Sequence, residues 1–505
     1  MIMLNSKHVS LVLAVIAFCA VQLSFILNGV LVLDALALLL VPAFILFLKH
    51  LLGNFRKETW DFQWSLVVLF LCLAVFLCLR SAFEIAASDD NYHVKKLVGY
   101  AFQNSFASQW LHPFHINKGH IAEFEVRMIF IGFVESVWGI FWRLLRWDFI
   151  IVLLQALPLV VLWHELLHFF RKKNVPVAGV LALIIILTMQ VLWVQQASGF
   201  IDSTTGVMGA LALLGMYDVL SRRFQGLAWP RVLGLAAVSA MCLISKPFLM
   251  PLALAGIVVA LVACRRLAAK AVVAVLMVVV LGCGYLMVHM NNVASLTGNP
   301  LFPLKGGDNI IFYSRPKNVG FNGMLETFYR ANPLNVKIHN LGIDVPALFV
   351  LSSWMMDYKY RPWVSPDPWI GGRGLIWTYV VIPVLGLALF RRIDIGHPKV
   401  LIFVIIAGYI LFMDGAILTR YALAIEIFII AWALAWAWQF LEGAFPRRPA
   451  VQVAFVSLMA VFALMNYYAT LDGDTLPKKH YPNTLCGYIN EEYLKFIYNP
   501  KAFAQ

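Results

Sequence analysis

Long apolar runs alternate with short polar connections along most of the chain. Thirteen of these runs approach the ~20 residues that an α-helix needs to cross the hydrocarbon core of a bilayer. The predicted spans are 8–27, 30–49, 64–83, 148–169, 176–194, 204–220, 231–247, 248–263, 271–289, 375–390, 400–416, 420–440 and 450–468. The pattern predicts an all-α integral membrane protein with about 13 transmembrane helices.

Two long polar connections and a tail interrupt this pattern. They separate a core at 1–290, which includes a first connection at 84–147, from a second connection at 291–373, C-terminal helices at 374–468 and a tail at 469–505. We expect helices lying in the membrane interface within the long connections. In the first one, residues 122–130 and 138–143 mix apolar and charged residues at helical spacing, with aromatic residues at the ends.

Basic residues cluster in connections of one parity, so all the clusters fall on one side of the predicted membrane. They follow the second, fourth, sixth, eighth, tenth and twelfth spans, with Lys49, Arg56 and Lys57, then Arg171, Lys172 and Lys173, then Arg222, Arg223 and Arg231, then Arg265, Arg266 and Lys270, then Arg391, Arg392 and Lys399, and then Arg447 and Arg448. The positive-inside rule assigns that side to the cytoplasm. Both long connections and the tail are then predicted to lie outside.

Composition agrees with a membrane protein. Hydrophobic residues make up 62% of the chain, and the mean hydropathy is +0.81. The net charge of +13 resides mostly in the clusters between spans, so it predicts topology and a bilayer partner rather than nucleic acid. Six of the seven cysteines lie in apolar runs and Cys486 is in the tail, which predicts neither a disulfide framework nor a zinc site. The first apolar run is too long for a cleaved signal peptide.

Charged residues from distant parts of the chain fall at the predicted outer ends of spans. Asp89 and Asp90 follow the third span, Asp202 opens the sixth, Lys246 ends the seventh and Arg420 opens the twelfth. Each has an ordinary interpretation as a wet loop acid, a helix N-cap, a snorkelling lysine or an interface arginine. Together they suit transfer from a phosphate leaving group, with a carboxylate as general base and cations that stabilise the phosphate.

These residues also resemble the GT-C class of membrane glycosyltransferases, in its protein-mannosyltransferase-like and lipid A aminoarabinose-transferase-like branches. Asp89-Asp90-Asn91-Tyr92 is similar to the D-E-x-Y form of the motif in the first external loop, which is D-E-x-x-Y or D-E-x-Y, with Asp in place of Glu. Ser108 to Pro113 looks like G-D-W-L-x-P, and Asn117 to Ile121 looks like E-K-P-P-L with the lysine kept and both prolines lost. Gly199 to Asp202, Ser245-Lys246 and Arg420-Tyr421 resemble three later features.

The resemblance implies a transfer of sugar from a polyprenyl-phosphate donor to a cell-envelope acceptor, outside the inner membrane of a bacterium. It implies that Asp89 is the catalytic base and Asp90 its catalytic partner, which holds a divalent metal in the branches that use one. Lys118, Lys246 and Arg420 would bind the donor phosphate, and the remaining substrate contacts would come from Tyr92, Asp202 and Tyr421. The cofactor stays open between a divalent metal and none.

Other interpretations remain open. His112, His115 and His120 are either interface histidines or metal ligands. An O-antigen ligase or polymerase would place its site in the second connection, at Arg315, Arg330, His339 and Arg361. A secondary transporter or flippase would use charges inside spans, for which Asp34 and Glu426 are the candidates.

Overall fold

The computed structural model of this chain describes helices in nine of the thirteen predicted spans. The described residues are 85–86, 93–94, 97, 121–122, 132–173, 175–189, 192, 201–225, 229–246, 249–297, 310–311, 376–390, 419–446, 448–472 and 478–479. The predicted spans at 8–27, 30–49, 64–83 and 400–416 lie outside these residues.

The described part of the chain is helical. Its α-helices are α1 (Phe133–Leu145), α2 (Phe149–Lys172), α3 (Pro176–Leu187), α4 (Asp202–Ser221), α5 (Trp229–Leu243), α6 (Met250–Ala263), α7 (Ala269–Thr297), α8 (Ile382–Phe390), α9 (Thr419–Ala444) and α10 (Pro449–Asp472). A 3-10 turn, Cys264–Arg266, follows α6, and a π-helical segment, Trp377–Val381, precedes α8.

Extended structure in this part is limited to two pairs of two-residue strands. β1 (Ile85–Ala86) pairs antiparallel with β4 (Lys478–Lys479), and β2 (Ile121–Ala122) pairs in parallel with β3 (Ile310–Ile311). The first pair joins the first long connection to the tail, and the second pair joins the first connection to the second. Three segments that the charge pattern assigns to one side are thus linked by backbone hydrogen bonds.

The apolar runs form helices because a backbone without water must satisfy its polar groups internally. Proline marks where several of them begin, at Pro176 in α3, Pro230 in α5, Pro251 in α6 and Pro449 in α10. A proline in the first turn costs no intrahelical hydrogen bond, since the first N–H groups of a helix have no partner there.

The boundaries refine the predicted spans. α5 ends at Leu243 and α6 begins at Met250, so the stretch around Lys246 is a break between two helices. The two helices pack closely, and a Cβ on Gly256 would lie 2.1 Å from the Ser239 hydroxyl. α3 ends at Leu187, well before the predicted residue 194, where the Thr188 hydroxyl donates to the carbonyls of Ile184 and Ile185.

Two predicted interfacial helices have different outcomes. Residues 138–143 lie within α1, which packs against α2. Trp138 and Trp142 of α1 are almost completely buried by the protein itself. The prediction of a helix starting at Ala122 is wrong at that residue, because Ala122 pairs with Ile311 as a strand; residues 123–131 lie outside the described residues.

Three described helices are long and apolar enough to cross a membrane. They are Phe149–Lys172, Asp202–Ser221 and Leu423–Ala444. Shorter apolar helices occur at Trp229–Leu243, Ala269–Gly284 and Pro449–Leu464. α7 exposes Val273, Met277 and Val280 along one face, a stripe of apolar side chains suited to lipid. The described part of the chain is mostly helical and has three helices of membrane-crossing length and composition, which is consistent with a membrane protein; the total of thirteen spans stays a prediction.

α4 is the central helix of the bundle, and most of its residues are buried. It packs against α9, α5, α2 and α6. α4 and α9 run in parallel, because Gly206 near the start of α4 contacts Leu423 near the start of α9, while Gln439 near the end of α9 donates to the Lys173 carbonyl. We call the end of the bundle where α4 begins the Asp202 end, and the opposite end the basic end.

Candidate functional site

The start of α4 carries a run of buried polar residues. Asp202, Ser203, Thr204 and Thr205 open the helix, and all four are buried. Small oxygen-bearing side chains suit this position because the first N–H groups of a helix lack intrahelical partners and favour negative charge. The N-cap position is held by Ile201, so the N-cap interpretation of Asp202 is wrong, and its carboxylate has another role.

Asp202 forms an ion pair with Lys246. The Lys246 ammonium contacts the Asp202 Oδ1 atom, and the two side chains are only 3% and 13% exposed. Lys246 follows α5, so the pair ties the break between α5 and α6 to the first residue of α4. A buried charge is costly without an opposite charge beside it, so Asp202 and Lys246 each compensate the charge of the other.

Arg420 lies at the same end of the bundle. It is the second residue of α9, one helical turn before Leu423, and Asp202 lies about one turn before Gly206. Since Gly206 and Leu423 are in contact, the first turns of α4 and α9 reach the same level. The side chains of Arg420 and Tyr421 lie outside the described residues.

The predicted catalytic acids also lie outside the described residues, as do Tyr92 and Lys118. The structure does describe His93, directly after Tyr92. Its Nδ1 atom lies 2.7 Å from Glu135 Oε1, and the two side chains are 4% and 0% exposed. This buried pair fastens the segment that follows the acids to α1.

α1 connects that segment to the Asp202 end. The Trp142 indole donates to Asp148 Oδ1 at 2.7 Å, and Asp148 directly precedes the first residue of α2. The other end of α2 lies at the basic end, where Lys172 contacts Asp218 of α4. The start of α2, and the end of α1 with it, therefore lie at the Asp202 end.

Sequence reasoning missed His93 and Glu135. A signal was present, because Glu135 is the one acid among the apolar and aromatic residues of α1, within Phe-Val-Glu-Ser-Val-Trp. An acid on an apolar face indicates a buried partner, although the pattern does not name it.

The basic end holds a second group of charges, centred on Asp218. The carboxylate accepts hydrogen bonds from Lys172 Nζ at 2.8 Å, from Arg222 Nε at 3.2 Å and from Arg231 at 2.7 Å. Arg222 and Arg231 were interpreted only as topology signals. Asp218 brings them together with the end of α2, so one acid links α2, α4 and the start of α5.

The candidate metal ligands are not tested by the structure. Among the residues whose placement is described, no group of three His, Cys, Asp or Glu side chains could hold a metal ion. His112, His115 and His120, together with Asp89 and Asp90, lie outside that part of the chain.

The described site therefore consists of an acid and a lysine buried at the Asp202 end, with the start of α9 at the same level. Neither a protein-family model, nor a curated protein, nor a solved structure matches this chain.

Proposed function

We propose that this protein is a membrane glycosyltransferase that moves a sugar from a polyprenyl-phosphate donor to a cell-envelope acceptor. The observation that carries the proposal is the buried Asp202–Lys246 pair, which holds a cation at one end of a membrane bundle. Ionisable side chains at membrane level are costly, and they commonly mark functional sites. The motif resemblance supplies the reaction class.

Lys246 would bind the donor phosphate while Asp202 holds its ammonium in place. An ammonium has three N–H donors, so it can contact a carboxylate and a phosphate at once. Arg420, at the same level of the bundle, would add a planar fork that suits two phosphate oxygens. Lys118 is proposed as a third cation for the donor.

In the proposed reaction an acceptor hydroxyl attacks the anomeric carbon of the sugar. A carbon–oxygen bond to the acceptor forms, and the bond from the anomeric carbon to the phosphate oxygen breaks. The electron pair leaves with the polyprenyl phosphate, whose negative charge Lys246 and Arg420 stabilise. Asp89 takes the proton of the hydroxyl. Asp90 is the catalytic partner of Asp89 in this step, and Tyr92 and Tyr421 contact the substrates.

One connection supports an assignment of the acids to this site. His93, three residues after Asp90, is bonded to Glu135 of α1, and α1 ends at the start of α2, at the Asp202 end. We propose that this end faces the periplasm or cell exterior, with the bundle in a bacterial inner membrane.

The test is sugar transfer by purified protein with a polyprenyl-phosphate sugar as donor. Asp89→Asn keeps the size of the side chain and removes its charge, so transfer should fall by about 10²–10⁴, the usual cost of losing a positioned base. Asp90→Asn should also lower transfer. Lys95→Gln is the matched control, because it changes a charge in the same segment without touching the proposed base. Near-normal turnover by the Asp89→Asn protein would contradict the proposal.

A transporter or flippase is the second candidate, favoured by Glu426. This acid is 1% exposed and lies within the membrane-crossing length of α9, a position typical of ion or proton pathways. The two functions predict opposite sensitivities. Transport would be lost in Glu426→Gln and kept in Asp89→Asn, whereas the glycosyltransferase would lose transfer in Asp89→Asn.

A further inference from the structure

The basic end contains a cavity that the proposed reaction does not use. Its volume is about 250 Å³, and it lies between the ends of α2 and α4 and the start of α5. Its polar wall combines basic and acidic residues with a histidine and a serine: Lys172, Lys173, Arg231, His168, Ser221, Glu165 and Asp218. Phe169 and Leu214, both buried, contribute apolar surface. Drug-sized ligands usually occupy ~300 Å³ or more, so this cavity suits a small polar group.

Asp218 holds the cations of the wall in place. Its two oxygens accept from Lys172 and Arg231, and Arg222 reaches the carboxylate from one turn further along α4. Lys172 also donates to the Ser221 hydroxyl at 3.5 Å. A single acid therefore organises three cations that would otherwise repel one another.

Within the described part of the chain, these cations keep donors for a ligand. There, the contacts to Asp218 and His168 use two of the five N–H groups of Arg231. The Lys173 ammonium lies 5.3 Å from the centre of the Tyr217 ring, and such a cation–π contact leaves its N–H groups available. The Arg231 guanidinium also lies 2.9 Å from His168 Nε2.

Basic residues outnumber acids around the cavity. Lys172, Lys173 and Arg231 line it together with the acids Glu165 and Asp218, and Arg222 also contacts Asp218. The cavity lies at the end of the bundle where the three membrane-crossing helices end. That is the level of lipid headgroups, and basic pockets between membrane helices at this level suit phosphate headgroups.

We propose that this cavity binds the phosphate of an anionic glycerophospholipid. Arg231 and Lys173 would donate to the phosphate oxygens, and the acyl chains would leave the cavity toward the bilayer. Free phosphate shares this chemistry, but the position at the membrane edge and the apolar surface from Phe169 and Leu214 favour a lipid. The site lies at the opposite end of the bundle from Lys246.

The experiment measures phosphatidylglycerol binding to the purified full chain, by titration into phosphatidylcholine nanodiscs and by native mass spectrometry of retained lipid. Lys173→Gln removes a ligand cation and leaves the Asp218 contacts intact, so the protein should fold. It should weaken binding about fivefold, the equivalent of ~1 kcal/mol for one basic residue near an anionic surface. Arg265→Gln, at an exposed arginine after α6, is the matched control and should bind normally.

Three results would overturn the proposal. Equal binding of phosphatidylcholine and phosphatidylglycerol would show that the anionic headgroup is not recognised. An equal loss in Arg265→Gln and Lys173→Gln would show diffuse attraction to the surface. Binding of inorganic phosphate in phosphatidylcholine discs, with no retention of phosphatidylglycerol, would make free phosphate the ligand. If the Arg231→Gln protein folds, it should bind phosphatidylglycerol more weakly still. If the Arg231→Gln protein does not fold, the Lys173→Gln measurement alone tests the proposal.

Discussion

Asp202, the first residue of α4, is paired with Lys246, which lies in the break between α5 and α6. The Asp202 side chain is 3% exposed and the Lys246 side chain 13% exposed, and both lie at the same end of the bundle. The pair converts two ordinary helix-end residues into one structural unit. It also places a lysine of the proposed donor site against a fixed carboxylate, which limits the directions from which a phosphate can approach.

The first prediction concerns the energy of this pair. Lys246→Met or Asp202→Asn alone should destabilise the protein by about 3–5 kcal/mol, because each leaves an uncompensated buried charge. The double variant should recover much of that loss, since no charge remains. Thermal unfolding in detergent of all four proteins gives the coupling energy.

The partly exposed Lys172–Asp218 pair is the control for that cycle. Its lysine is 41% exposed, so Lys172→Met should cost about 0.2–1 kcal/mol, as usual for a solvent-screened pair. Strictly additive effects of Lys246→Met and Asp202→Asn would contradict the pairing. If the double variant is stable but does not transfer sugar, the pair has a role beyond stability.

A second prediction tests the close approach of α4 and α9. A Cβ on Gly209 would lie 2.6 Å from the Ala424 Cβ, which is fixed to its backbone and cannot turn away. Gly209→Ala should therefore force the helices apart and cost about 1–3 kcal/mol, as overpacking usually does. The same measurement of thermal unfolding applies.

Gly234 in α5 provides the matched control. A Cβ there meets nothing within 4 Å, so Gly234→Ala should be neutral or should stabilise α5 by up to about 1 kcal/mol through helix propensity. Similar melting temperatures for the Gly209→Ala and Gly234→Ala proteins would show that α4 and α9 are not in tight contact.

The sequence predicted the helices better than the contacts between them. Hydropathy is a local property, and it located α2, α4 and α9, as well as the break at Lys246, because a membrane helix needs a long apolar run. It did not predict that His93 meets Glu135, since a pair from distant segments leaves no periodic signal in one sequence. The early end of α3 was missed for a related reason: Thr188 is compatible with a helix until its hydroxyl bonds back to the helix.

Charge patterning has the same limit. The predicted side of Lys172, Arg222 and Arg231 agrees with their meeting at one end of the bundle. Their convergence on Asp218 depends on how α2, α4 and α5 pack. The distribution of positive charge along the sequence predicts the side of the membrane but not this packing. The sequence predicted that Asp202 and Lys246 lie at the same level of the membrane, but it did not predict their direct ion pair.

A third prediction concerns Arg420 and rests on the proposed function. Arg420→Lys keeps the charge but replaces a planar fork by a point charge, so the Michaelis constant for the polyprenyl-phosphate donor should rise. Arg448→Lys, at an exposed arginine before α10, is the control and should behave like the wild type. If both variants transfer sugar equally well, Arg420 is an interface residue and Lys246 is left without its proposed partner.

The last prediction tests the sidedness on which the donor site depends. The ends of α2 and α4 and the start of α5 meet at Asp218, so the segments near Lys173 and Gln225 must lie on one side of the membrane. Arg266 follows α6, which returns from the break at Lys246, and should share that side.

Reporter fusions after Lys173 and Arg266 should be cytoplasmic, whereas an insertion near Asn318 in the second long connection should be outside. Residues around Asn318 lie outside the described part of the chain, so this arm tests the charge pattern itself. Labelling of single cysteines by a membrane-impermeant reagent, in intact and in opened cells, gives an independent measurement. If Lys173 and Asn318 are accessible from the same side, the argument for an external site fails, although the Asp218 cluster and the Asp202–Lys246 pair would still define the two ends of the bundle.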